Sequence, residues 1–62
     1  MMKHIWVMNG RRNDLVGTYR VCEQAGVFRV LFDSGNYTEL VAECDSSTEA
    51  VARCVMLAKQ GE

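Results

Sequence analysis

The stretch from Thr38 to Gln60 reads TELVAECDSSTEAVARCVMLAKQ and decides the fold. Its opening residues have the composition of a strand, and Asp45 with the serines after it ends that strand. Ser46 and Glu49 form a capping-box pattern, in which each side chain accepts a hydrogen bond from the other residue's backbone N–H. The pattern predicts that a helix begins within one residue of Ser46, directly after the last strand.

The predicted helix carries one apolar face. Apolar residues follow the i, i+3, i+4, i+7 spacing of a buried helix face at Val51, Cys54, Val55 and Ala58, with Ala50 and Leu57 beside them. Because one helix covers only one face of a small sheet, the second face of the sheet is predicted to stay open.

Three turn signals divide the preceding residues into strands. They are Asn9 to Asp14, Gln24 to Gly26 and Ser34 to Asn36, and the segments between them are rich in β-branched and aromatic residues. The predicted strands lie near residues 3–8, 15–23, 27–33 and 37–44. Residues 1–62 are therefore predicted to form a single α+β domain, a four-stranded antiparallel meander with one C-terminal helix packed on one face.

The hydrophobic pattern selects a register for the second hairpin, because a slip of one residue exchanges the two faces of a strand. If Glu23 pairs with Phe28, Tyr19 faces Phe32 and the large apolar side chains share one face. If Glu23 pairs with Val27, charged side chains enter both faces. The first register is therefore predicted.

The third hairpin is predicted to close Asp33 against Tyr37 around Ser34-Gly35-Asn36. With these two registers, the side chains predicted to lie under the helix are Tyr19, Val21, Phe28, Val30, Phe32, Leu40 and Ala42, with Ile5 and Val7 from the first strand. The side chains predicted to lie on the uncovered face, called here the open set, are Arg20, Cys22, Arg29, Leu31, Tyr37, Glu39, Val41 and Glu43, with His4 and Trp6.

The open set is more apolar than a solvated sheet face requires. An exposed apolar patch rimmed by charges typically marks a partner site, and the predicted partner-binding residues are Arg20, Arg29, Leu31, Tyr37, Glu39 and Val41. The competing interpretation is an ordinary surface with scattered apolar residues.

The length of the chain points to oligomerisation. A domain of 62 residues buries only about 60% of the surface of its unfolded chain, and such domains often rely on disulfides, metals or a partner subunit. The cysteines Cys22, Cys44 and Cys54 are odd in number and form no C-x-x-C pair, which fits neither a disulfide framework nor a zinc site. A homodimer is therefore predicted, with Cys44 and Cys54 in the core and Cys22 exposed or sealed in an interface.

The sequence predicts no catalytic, cofactor-binding or metal-binding residues, and hence a protein that is not an enzyme. His4 is the only histidine, so a site built on two histidines is excluded. Glu39 and Glu43 would stand about 13 Å apart on one strand, too far to share a proton or a metal ion.

Charge is divided unevenly along the chain. Residues 1–29 hold five basic and two acidic side chains, residues 30–62 hold two basic and six acidic ones, and the formal net charge is −1. One interpretation is that opposite charges cancel on neighbouring strands. The alternative is a nucleic-acid-binding sheet protein that uses its arginine side, with contacts at Arg11 and Arg12 supported by Arg20 and Arg29.

Two apolar segments are relevant to the subcellular location of the protein. Ile5 to Met8 is too short for a secretory signal, and Ala50 to Ala58, interrupted by Arg53, is too short to span a bilayer. Together with free thiols, this predicts a cytoplasmic protein with no membrane partner.

Phe28-Arg-Val-Leu-Phe-Asp33, followed by Asp45-Ser-Ser-Thr-Glu-Ala50 and an alanine-punctuated helix, resembles the amino-terminal domain of HicB-type antitoxins. The resemblance extends from Thr18 to Ala58. In that family a three-stranded sheet precedes a D-T-x-E-E-A helix start. The present chain differs in having no Pro-Gly turn, an additional strand at its beginning and no DNA-binding tail after the helix. The resemblance implies the fold and the idea of a protein-binding inhibitor.

The sequence thus favours a non-enzymatic protein-protein interaction module that acts on a protein target by occupying its surface. Very short domains without catalytic residues are typical of phage and mobile-element inhibitors, for example anti-CRISPR proteins. The identity of the target and the reactivity of Cys22 are left open by the sequence.

Overall fold

Four strands and one helix follow one another along residues 3–61, which are the residues that the computed structural model describes. They are β1 (Lys3–Arg12), β2 (Leu15–Gln24), β3 (Val27–Asp33), β4 (Thr38–Cys44) and α1 (Ser47–Gln60). Each strand pairs antiparallel with the next one along the chain, in the order β1-β2-β3-β4. The prediction of an α+β meander with a C-terminal helix is confirmed.

The helix begins where the capping pattern placed it. Ser46 has extended backbone angles, φ −143° and ψ 156°, and its Oγ accepts a hydrogen bond of 3.2 Å from the Glu49 N–H. The Glu49 carboxylate makes no return hydrogen bond within residues 3–61, so only one half of the predicted capping box forms.

The buried face of α1 is centred on small side chains. Ala50, Cys54 and Ala58 are buried at i, i+4 and i+8, and Val51 and Leu57 pack against the core beside them. Val55, predicted for the middle of this face, is half-buried at its margin. Because the central side chains are small, the helix backbone lies close to the sheet, and a larger residue such as Val55 fits only at the side.

The second hairpin has the predicted register. Tyr19 pairs with Phe32 and Glu23 with Phe28, and the rings of Tyr19 and Phe32 lie 5.0 Å apart at 54° in the centre of the core. The two turn residues, Ala25 and Gly26, both have positive φ, which matches the twist of the flanking strands.

The prediction that the first strand ends near residue 8 is wrong, because β1 continues through Gly10 to Arg12. Gly10 faces Gly17 across the pair of strands. A Cβ at Gly10 would stand 2.9 Å from the Tyr19 ring and 3.0 Å from the Ala58 side chain. This glycine therefore permits a close approach inside a strand and does not form a turn.

The predicted register of the third hairpin is also wrong. Asp33 pairs with Thr38, and the loop between them is one residue longer than predicted. The Ser34 N–H donates to the Tyr37 carbonyl oxygen at 3.0 Å, and the Gly35 N–H donates to the Asp33 carboxylate at 2.8 Å. These two hydrogen bonds hold the longer loop.

A bulge in β4 then restores the pairing on the helix side. Leu31 pairs with Leu40, but Val30 pairs with Ala42, so Val41 is an additional residue without a partner of its own. A bulge turns two consecutive side chains toward the same face. Val41 and Ala42 accordingly both pack against the core.

The longer loop moves three residues, which lie before or at the bulge, from their predicted faces. Leu40, predicted to be covered, lies on the open face with 52% of its surface exposed. Val41, predicted to be open, packs against the core. Glu39, also predicted to be open, pairs with the buried Phe32 and therefore lies on the helix side.

A second irregularity shifts β1 between His4 and Trp6. Val7 pairs with Arg20 and is 60% exposed on the open face, although the sequence predicted it under the helix. Ile5, predicted to be covered, is exposed, and Trp6, predicted on the open face, pairs with the helix-side residue Val21. His4 pairs with Cys22 on the open face, as predicted.

Candidate functional site

The sheet face that α1 leaves uncovered is called here the open face, and one row of paired residues crosses its middle. The row takes one residue from each strand: Val7, Arg20, Leu31 and Leu40. Three of the four are apolar, and the two at the edges of the sheet are more than half exposed. The sheet thus holds an apolar band about four strands wide, interrupted by one arginine.

Ion pairs border this band on both sides. On one side the Arg29 Nε donates to the Glu43 carboxylate at 3.0 Å. On the other, the Arg20 guanidinium lies 3.5 Å from the Asp33 carboxylate. Pairs this exposed stabilise a fold by about 0–1 kcal/mol each. Their larger effect is that the open face carries both signs of charge in close balance.

Arg20 differs from the other arginines in one respect. Its Nε is buried and has no hydrogen-bond partner within residues 3–61. A buried donor without an acceptor is uncommon in native proteins, and this one lies in the central row of the open face.

Cys22 is buried although no helix covers it. Only 1% of its surface is exposed, and its Sγ lies 3.6 Å from the Nδ1 of His4, its neighbour across the strands. The alternative that placed Cys22 as an exposed thiol is therefore wrong, because neighbouring side chains of the same chain cover it.

The other two thiols are in the core under the helix. Burial raises the pKa of Cys54 from 9.0 to about 11. Burial also raises the pKa of Cys44, and the nearby Glu49 carboxylate adds to that effect. Both thiols stay protonated near neutral pH and pack as small apolar groups.

The raised pKa of Cys54 predicts a loss of stability in alkaline solution. Between about pH 9 and about pH 11 the unfolded chain gives up this proton while the folded chain keeps it, so the stability present below pH 9 falls as pH rises. A shift of this size corresponds to about 2–3 kcal/mol in full, of which about half, roughly 1.4 kcal/mol, is lost by about pH 10. Urea unfolding of the parent and of Cys54→Ala at about pH 8 and about pH 10 measures it. We expect the parent to lose more stability than the variant, and equal losses would contradict the burial of this thiol.

Tyr37 and Glu39, both predicted to bind a partner, belong to a different cluster. The Glu39 carboxylate accepts two hydrogen bonds from Arg12, at 3.3 and 3.0 Å, and one of 3.0 Å from the Tyr37 hydroxyl. The bond from Arg12, followed by the bond from Tyr37, lowers the pKa of Glu39. This cluster joins the end of β1 to the loop before β4.

The six predicted partner-binding residues are thus divided by the structure. Arg20, Arg29 and Leu31 lie together on the open face, whereas Tyr37 and Glu39 lie in the cluster with Arg12 and Val41 packs against the core. Sequence reasoning missed Val7 and Leu40, because both depend on strand irregularities that have no signature in the residues themselves.

The arginine side predicted for nucleic acid is largely neutralised. Three arginines, Arg12, Arg20 and Arg29, each pair with an acidic side chain of the second half of the chain. This arrangement supports the interpretation that charges cancel on neighbouring strands. Arg11 is exposed, and its carbonyl oxygen accepts a hydrogen bond of 2.8 Å from the Tyr19 hydroxyl.

Two further properties concern only residues 3–61. No group of three or more His, Cys, Asp or Glu side chains is arranged to hold a metal ion. The helix in this part of the chain, with 14 residues, lacks the length and apolar character needed to span a bilayer.

Comparison of the chain with family models, with curated proteins and with solved structures gave no match.

Proposed function

We propose that this chain is a non-enzymatic protein-binding module, of the kind that regulates or inhibits another protein by occupying its surface. We further propose that it pairs with a second copy of itself through the open face. The observation that carries the proposal is the central row of that face, in which Val7, Leu31 and Leu40 form an apolar band interrupted only by Arg20.

The charges of the open face suit a second copy. The Arg29–Glu43 pair lies on one side of the band, and Asp33 on the other side pairs with Arg20 of the band itself, so each positive charge of the face is already matched by a negative one when two copies meet. Such an interface is made of the same patch on both subunits.

The size of the face sets the strength of the dimer. Four strands spaced about 4.8 Å apart and about seven residues long cover roughly 450 Å² in plan. A standard interface buries about 800 Å² on each partner. We therefore expect a weak dimer in rapid exchange, whose population depends on protein concentration.

The test uses the double variant Leu31→Lys with Leu40→Lys, which puts like charges where the two copies would meet. We expect sedimentation of the parent to show a concentration-dependent shift from monomer to dimer, with a melting temperature that rises with concentration. The double variant should sediment as a monomer throughout and melt like the dilute parent, because both side chains lie on the open face.

Val41→Lys is the matched control, since Val41 follows Leu40 directly but packs against the core. It should lower the melting temperature at every concentration. A parent that stays monomeric across the whole concentration range, or a double variant that dimerises as well as the parent, would overturn the proposal.

A further inference from the structure

A groove runs between α1 and the outer edge of β1, and no residue of the central row of the open face lines it. Its walls are formed by four consecutive residues of β1, from Met8 to Arg11, by Val16 of β2, and by Val55, Ala58 and Lys59 of α1. Consecutive strand residues alternate between the two faces of a sheet. Four in a row along one groove therefore mean that the groove follows the edge of the strand.

The edge of β1 is available for pairing. β1 is the first strand in the sheet order, so only its inner side bonds to another strand within the described chain. On the outer side, alternate residues present backbone N–H and C=O groups that no strand satisfies. From Trp6 to Gly10 the pairing with β2 has no bulge that would turn this edge away from another strand, whereas the next carbonyl, that of Arg11, already accepts from the Tyr19 hydroxyl and lies against Gly61.

The other edge of the sheet does not offer this geometry. β4 has seven residues and is interrupted by the bulge at Val41. Bulges are one of the devices by which proteins prevent an edge strand from pairing. The regular, longer edge is thus the one that lies beside an apolar groove.

The groove changes in character along its length. Met8 and Val55 supply apolar side chains toward one end, and the small residues Gly10 and Ala58 leave its middle shallow. The other end is basic, because Arg11 and Lys59 both line the groove and neither forms an ion pair within residues 3–61. Two full positive charges outweigh the partial negative charge of the helix C-terminus, which is about half a charge.

We infer that this groove binds an extended peptide segment of a partner protein, which pairs with β1 as a fifth strand. The segment carries an apolar side chain that packs against Met8 and Val55. Acidic side chains at the alternate positions, which face the other side of the peptide strand, lie at the end of the groove lined by Arg11 and Lys59. Backbone hydrogen bonds supply much of the affinity in this mode of recognition, and the alternate side chains supply the selectivity.

The probe is a fluorescein-labelled peptide of alternating valine and glutamate, measured by fluorescence anisotropy. Two matched probes accompany it: valine alternating with lysine, which reverses the charge, and a valine-glutamate peptide with a central proline, which removes a backbone donor. We expect the first probe to bind, and both matched probes to bind at least about tenfold more weakly. Bound peptide should also slow hydrogen exchange of β1 amides between residues 8 and 11.

Matched variants of the protein locate the site. Lys59→Glu should weaken binding of the valine-glutamate peptide by about tenfold at low salt, and less at high salt. Arg53→Glu makes the same change of charge on the same helix, but Arg53 does not line the groove, so affinity should hold. The double variant Leu31→Lys with Leu40→Lys should bind the peptide like the parent, because neither Leu31 nor Leu40 lines this groove.

Three results would overturn the inference. They are equal binding of the glutamate and lysine peptides, equal loss of affinity in Arg53→Glu and Lys59→Glu, and protection from exchange at β4 in place of β1. Loss of self-association in the double lysine variant together with retained peptide binding separates this site from the dimer proposal.

Discussion

Cys54→Asp should leave no folded protein at room temperature. Cys54 is completely buried in the middle of the helix face, between Ala50 and Ala58. A carboxylate at this position loses its hydration and gains no partner, which costs several kcal/mol. A domain of this size has a total stability of about 5 kcal/mol or less. Far-UV circular dichroism and the dispersion of the amide proton NMR spectrum measure the loss.

The matched control is Arg53→Asp, which introduces the same side chain one residue earlier at an exposed position. It should fold and melt within a few degrees of the parent. If Cys54→Asp melted cooperatively at the temperature of this control, α1 would have to cover the sheet with a different face.

The parts of the fold that follow local rules were predictable from the sequence. The helix start depends on Ser46, whose hydroxyl accepts the hydrogen bond that the capping pattern predicts. The second hairpin has two candidate registers, of which one keeps the large apolar side chains on one face and the other puts charged side chains on both faces. Pairing of Tyr19 with Phe32 was therefore determined by the residues alone.

The third hairpin could not be predicted in the same way, because its two irregularities compensate each other. The loop from Ser34 to Tyr37 is one residue longer than predicted. By itself, this additional residue would shift the register of β4 by one and turn Ala42 and Cys44 away from the helix. The bulge at Val41 reverses that shift for the second half of β4. An alternating pattern fits either arrangement, and only packing of the whole sheet distinguishes them.

This compensation explains why half of the predicted site residues were misplaced. Before the bulge, Glu39 lies on the helix side and Leu40 on the open face, the reverse of the prediction. Glu39 is therefore within reach of Arg12, and Arg29 forms its ion pair with Glu43. Cancellation of charge between the two halves of the chain was predictable, but the acidic partners of Arg12 and Arg20 were not.

Glycine was the other source of error. Gly10 stands beside Asn9 and two arginines, a composition typical of a turn. In the structure it is an interior strand residue that faces Gly17, and its missing side chain leaves room for the Tyr19 ring and for Ala58 of α1. The sequence of a single strand carries no sign of such a contact, because the groups that need the space come from β2 and α1.

The contact made at Gly17 predicts a large effect for the smallest possible substitution. Gly17→Ala should lower the free energy of unfolding by about 2–3 kcal/mol, the range for overpacking a rigid site. The added Cβ would clash with the Asp33 carbonyl oxygen and stand 2.8 Å from the nearest atom of the Phe32 ring. Neither group has room to move, since Phe32 is fully buried and the Asp33 backbone is held in the pairing of β2 with β3. The melting temperature should fall by about 10–20 °C.

Gly26→Ala provides the comparison that makes this result decisive. Gly26 has a positive φ of 81° and no atom within 4 Å of an added Cβ, so its substitution should cost only the strain of a left-handed residue, about 1–2 kcal/mol. By strand propensity alone, Gly17→Ala would instead stabilise the protein by about 0.5–1 kcal/mol, because alanine loses less chain entropy on folding. At Gly17, close packing therefore predicts a lower free energy of unfolding for the alanine variant, whereas strand propensity predicts a higher one. A melting temperature that rises in Gly17→Ala would show that Phe32 does not pack closely against Gly17. A fall larger than that of Gly26→Ala would require the close contact of Gly17 with Phe32 and the Asp33 carbonyl oxygen.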